Sequence, residues 1–191
     1  MPNSPMWFLA LFSAVLSGVL LALSVFPGLL EQLPERPALI VGGGFALLAG
    51  GAALWQLVRP TRPDRPRRRM TALVVIVATT LTPLLLATHT TRSVVFANYR
   101  PQFEALLADA PPASGQAVAN LNADMSLFWV DQWGTDARGG TYFRTLTGAA
   151  PDRRSFGFAH RPNAEGSPFG DAGYELQHLT GDWYSFAASD R

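Results

Sequence analysis

MWFLALFSAVLSGVLLALSVF, residues 6–26, decides how the rest of the chain is read. It holds no charged residue, and its only polar side chains are Ser13, Ser17 and Ser24. At helical rise it covers roughly 30 Å, the thickness of a bilayer core. Pro27 and Gly28 then supply a stop. The segment before Met6 has no Lys or Arg, and the apolar run outlasts a signal-peptide core, so a retained helix is expected.

Working outward, residues 38–58 form a second uncharged stretch, and residues 70–91 a third that carries Thr79, Thr80, Thr82 and Pro83. Threonine hydroxyls bonded to carbonyls one turn back offset part of what Pro83 removes. The expected fold is therefore a membrane protein with three transmembrane α-helices, at 6–26, 38–58 and 70–91. A small extracytoplasmic α+β domain with an antiparallel sheet of about four strands follows. The domain plan is a membrane anchor over 1–91, an amphipathic segment and linker over 92–115, and the α+β domain over 116–191.

Composition agrees with a chain that partly avoids water. Only 15% of the 191 residues are charged, and 48% are hydrophobic. The formal charge of +1 argues against a partner made of nucleic acid. With no cysteine, the chain has no disulfides, thiolate metal sites or thiol nucleophile.

The loop 59–69 holds six arginines and Asp64, a net +5, whereas the first loop is net −1. Arg62, Arg65, Arg67, Arg68 and Arg69 are read as the topology determinant and as ligands of lipid headgroups. That places the amino terminus in the cytoplasm and the carboxy-terminal domain outside, with the protein in the cell membrane. Small residues recur four apart at Ala14, Gly18 and Ala22, and at Gly42, Ala46 and Gly50. Such faces let helix backbones approach in lipid, against each other or against a partner helix.

Beyond the spans, Val95, Phe96, Tyr99, Phe103, Leu106 and Leu107 form a helical stripe. Residues 116–128 read as a weaker helix. Strands are expected at 141–147, 155–161, 173–180 and 183–188, the last two joined by a two-residue turn at Gly181-Asp182. The aromatic residues of this domain exceed what one face of a small sheet buries, so part of that surface is available to a partner.

No catalytic signature is present: there is no HxH, no HExxH and no Gly-x-Ser-x-Gly. No cofactor is expected, and His89 is the one candidate ligand for a haem or chlorophyll metal. The reading is a non-catalytic accessory or structural subunit of a larger membrane complex (photosynthetic, respiratory, secretory or transport-related). Its partners are the lipid bilayer and other membrane-protein subunits. The alternative is an anchored extracytoplasmic sensor or enzyme for a small molecule, which needs His160, His178 and Arg144 to converge on one pocket.

Overall fold

The computed structural model describes residues 5–29, 65–109, 117–147 and 154–189. Three helices precede six strands: α1 (Pro5–Val25), α2 (Arg65–Ala87), α3 (Thr90–Ala108), β1 (Ala117–Met125), β2 (Phe128–Thr135), β3 (Thr141–Thr147), β4 (Ser155–His160), β5 (Ala172–Thr180) and β6 (Trp183–Ser189). The chain divides into two compact units. One comprises Met1–Ser24 and Leu33–Thr90, the other Val25–Gln32 and Thr91–Arg191. Helix α3 thus belongs with the sheet and is not a separate segment.

The expected three-span fold is corrected on two counts. Among the described residues, no single helix is long and apolar enough to cross a membrane. Within α1 the described apolar stretch is Ala10–Val25, and within α2, which opens on four arginines, it is Ala72–Ala87. Among the described residues, each stretch falls short of the ~20 residues that a ~30 Å core requires. Among the described residues, only α2 and α3 taken together, interrupted after Ala87, are long and apolar enough. The second expected span, 38–58, lies outside the described residues.

The second count is the sheet, which has six antiparallel strands in the order β1-β2-β3-β4-β6-β5, where about four were expected. The four strands expected from residue 141 onward are all present, and Gly181, at φ +56°, makes the turn between β5 and β6. The two additions are β1 and β2, where residues 116–128 suggested a helix. Val118, Leu121 and Met125 are spaced as on a helix, but a bulge between Asn120 and Ala123 shifts the strand's phase. Asn122 sits there at φ +54°. Leu121 within the bulge, and Ala123 and Met125 beyond it, face the core, while Val118 stays exposed.

In the helical unit, Ala72 and Val75 of α2 are buried, with Ala10 of α1 packed against them, and Ser17 Oγ donates to the Ala78 carbonyl at 3.4 Å. Thr79 and Thr80 each donate to a carbonyl one turn back at 2.8 Å, just ahead of Pro83.

In the sheet unit, α3 lies on one face. All six residues of its expected stripe reach the core, with Phe96 and Phe103 fully buried among Phe128, Phe143, Phe158 and Trp183. Ring centroids stand 4.7 Å apart for Phe96–Phe158 and 5.1 Å for Phe103–Phe158. Such ring contacts add to the burial of the apolar surface itself. Buried Arg92, in the first turn of α3, donates to Gln177 and Ser185, both at 3.2 Å. The residues just after α1 close the same core, because Phe26 meets Phe128 edge-on at 5.8 Å.

Candidate functional site

The opposite face of the sheet carries a second, smaller core of Tyr142, Ala159, Phe169, Phe186 and Ala188. The segment after β4 supplies its cover. Phe169 stacks on Phe186 with ring planes 9° apart, and Ser167 Oγ, which accepts from the Phe169 N–H, donates to the Gly170 carbonyl. Phe169 is turned inward, 4% exposed.

A buried polar cluster fastens this cover. Asp136, 3% exposed, accepts the N–H groups of Arg138 and Gly140 at 2.8 Å each through Oδ1. Through Oδ2 it accepts the Tyr142 hydroxyl at 3.1 Å and the Asn163 N–H at 2.9 Å. The Tyr174 hydroxyl donates to the Asn163 carbonyl at 2.6 Å and lies 3.0 Å from that of Tyr142. Burial, then the hydrogen bond to Tyr174 and the charge on Asp136, pushes the Tyr142 phenol far up. Burial with nearby Asp136 and Asp171 pushes Tyr174 up to about 12. Both phenols stay neutral, and the cluster holds loop 161–171 onto the sheet. It has the character of a clasp: every polar group faces another from the same chain.

Residues proposed for small-molecule chemistry are not brought together. His160 stands on the α3 face, 5.0 Å from the Trp183 ring. Burial there lowers its pKa, with Arg161 next. His178 lies on the other face against Tyr184 and bonds the Gly181 carbonyl at 2.9 Å. Strand β6 separates β4 from β5, so the two histidines do not even sit on paired strands. Arg144 is engaged by Asp131 through bonds of 2.6 to 3.1 Å and lies over the Phe169 ring. Among the described residues, no group of three or more His, Cys, Asp or Glu is arranged to hold a metal.

His89 has a conformational role. It is exposed, at φ +52°, in the break between α2 and α3, and its N–H donates to the Leu86 carbonyl at 3.1 Å. A left-handed residue just past a helix end is a common way to satisfy the last carbonyls.

The helix-packing residues divide. Gly42, Ala46 and Gly50 lie outside the described residues, as does Arg62. Ala14, Gly18 and Ala22 are exposed, and a Cβ added at Gly18 would meet nothing within 4 Å. The face of α1 that packs on α2 runs instead through Ala10, Ser13 and Ser17. Arg65, Arg67, Arg68 and Arg69 occupy the first residues of α2. Cations at a helix amino terminus oppose its dipole, so this end favours anionic surroundings.

The largest unexplained feature is apolar. Leu11, Val15 and Val19, spaced four apart on α1, are 48%, 56% and 49% exposed. On α2, Leu73, Val77, Leu81 and Leu84 form a second stripe, 45% to 58% exposed. Four-residue spacing puts each set on one helix face. The signal for these faces was in the sequence; which faces stay open was not.

No family model, curated protein or solved structure matches the chain.

Proposed function

We propose that the chain is a non-catalytic accessory subunit of a membrane assembly. Its helical unit is embedded in the apolar layer of the membrane, and its sheet domain serves as the part that partner subunits contact. The observation that carries this reading is the pair of exposed apolar stripes, Leu11-Val15-Val19 and Leu73-Val77-Leu81-Leu84. Proteins that live in water rarely leave contiguous apolar surface of this kind uncovered. Moving each half-exposed side chain from water into lipid gains on the order of 1 kcal/mol, and the seven contributions add in favour of association. The arginines that open α2 add attraction for anionic headgroups. The exposed face at Ala14, Gly18 and Ala22 suits close approach by a partner helix.

The reading is tested by flotation of the full chain with phosphatidylcholine–phosphatidylglycerol vesicles, followed by a high-salt wash. The expected result is a chain that floats and stays bound after the wash, because apolar burial survives screening. Replacing Val15 and Leu81 together by Glu releases it. A chain that stays in the aqueous fraction and runs as a monodisperse 20.6 kDa protein without detergent overturns the proposal.

A further inference from the structure

The face of the sheet opposite α3 is covered over only part of its width. Residues paired across neighbouring strands share a face, and successive residues alternate between faces. Ala123 and Met125 pair with Val130 and Phe128 and reach the α3 core, so Asp124 and its partner Trp129 face the other way. Trp133 and Phe143 likewise pair toward α3, which puts Gln132 and its partner Arg144 on the opposite face. Among the described residues, the cover supplied by loop 161–171 ends at Arg144, whose guanidinium lies over the Phe169 ring.

Beyond that point the face is open and polar around one indole. Trp129 is 52% exposed, whereas Phe128, Phe143, Phe156, Phe158, Trp183 and Phe186 are all buried. The groups beside it are planar and held in place by their neighbours. Gln132 Nε2 donates to Asn120 Oδ1 at 2.9 Å across the β1–β2 ladder, which leaves an amide donor on Asn120 and an amide acceptor on Gln132 for a ligand. Asp131, one-third exposed, meets the Arg144 fork at 2.6 and 3.0 Å. Asp124, exposed and directly opposite Trp129, accepts the Ser126 N–H at 2.8 Å. Strand rise puts Gln132 roughly 10 Å along from Trp129.

We propose that this open half-face binds a neutral oligosaccharide, one sugar ring stacked on the Trp129 indole and the next hydrogen-bonded by Asn120, Gln132 and Asp131. The C–H bonds on the flat side of a pyranose are weakly positive and the face of an indole is negative, so the two attract while excluding water. A hydroxyl both donates and accepts, and this face offers an amide donor, an amide acceptor and carboxylate oxygens within the length of two linked rings. An open, flat surface suits a chain that continues past both ends, where a small ligand is held in a cleft. Charge selects the class of sugar. Asp124 and Asp131 outnumber Arg144, which Asp131 already neutralises, so an acidic glycan or a phosphate meets repulsion and a neutral one does not. The mutual bonds that fix these side chains before the ligand arrives lower the ordering cost of binding. The proposal stands on the sheet domain alone and is independent of the membrane reading.

The chain has five tryptophans, so the full-length protein made with isotope-labelled tryptophan, in a detergent that carries no sugar, gives five indole N–H signals by NMR. Trp129→Phe identifies the signal of Trp129. Cellohexaose, chitohexaose and maltohexaose are then titrated separately to millimolar concentration, with hexagalacturonate as the acidic comparison. The expected result is a saturable shift of the Trp129 signal with a neutral hexasaccharide, the other four signals staying in place. Gln132→Ala should weaken that binding by about two- to tenfold, the worth of one hydrogen bond. Trp129→Ala, read by saturation transfer to the sugar protons, should weaken it at least as much, and the four remaining indole signals report that the variant is folded. No shift with any of the three neutral sugars overturns the proposal. So does a shift confined to another tryptophan, which would place the sugar elsewhere. Tighter binding of hexagalacturonate than of the neutral sugars overturns the charge argument and the proposal with it. Unchanged affinity in Gln132→Ala overturns it too, since the sugar would then be adhering to an exposed indole without being read by the polar row.

Discussion

Replacing Asp136 by Asn removes one charge and turns one acceptor into a donor, at a site where both oxygens are engaged. If the amide nitrogen takes the Oδ2 position, it faces the Asn163 N–H; if it takes Oδ1, it faces those of Arg138 and Gly140. In either pose at least one buried N–H loses its acceptor, at a cost of about 1–3 kcal/mol. The bonds that survive fall from charged to neutral strength, a further loss of about 1 kcal/mol. A destabilisation of about 2–4 kcal/mol follows, a large share of a net stability of about 5–15 kcal/mol. The measurement is denaturant unfolding of the full chain in detergent, with hydrogen exchange read at Gly140 and Asn163. Asp182→Asn is the comparison, since that carboxylate is exposed and pairs only with exposed Arg161, and little change is expected there. An Asp136→Asn chain with an unmoved midpoint and fully protected amides at both positions would refute the clasp.

Alkali offers a second view of the same cluster. Tyr174 holds its proton to about pH 12 when folded and to about 10 when unfolded, so its contribution is complete below pH 10 and is lost as pH rises toward 12. The unfolding midpoint should fall across that window and fall less in Tyr174→Phe; parallel curves would show that the phenol does not couple to folding. Gly28→Ala forces a side chain into φ +82° and into the Phe156 ring. The backbone term of about 1–2 kcal/mol and the overpacking term of about 1–3 kcal/mol should together lower the denaturation midpoint clearly. A variant as stable as the parent would mean the segment after α1 does not close the core.

Much of the sheet domain was legible in sequence because its signals are local. Gly181-Asp182 carries its own turn chemistry, and the α3 stripe carries its own period, so both come out where they were expected. Strand β1 did not, because its bulge lets three apolar residues mimic helical spacing while the strand keeps its ladder with β2. The helical unit misled for a different reason. Hydropathy counts apolar residues, but it did not show that α2 would stop at Ala87, short of the expected end at residue 91. The clasp was only half visible. Asp136 makes local turn bonds to Arg138 and Gly140, of the kind an Asp shortly before a Gly-Gly pair favours. Its partners Tyr142, Asn163 and Tyr174 are assembled from three separate segments, and no spacing announces them. His160 and His178 diverge because β6 inserts between the strands that bear them.

The register shifts at the rim of the sheet have a consequence for the protein at high concentration. Both outermost ladders are interrupted, β1–β2 once and β5–β6 twice. A bulge bends and twists its strand, so neither edge offers the long flat row of amides that templates a foreign strand. Asp124 and Glu175, on the two edge strands, add charge that an incoming copy would have to desolvate. Crowding many copies together therefore carries little risk of edge-to-edge polymerisation, and the sheet can be packed densely beside its neighbours while remaining a separate body.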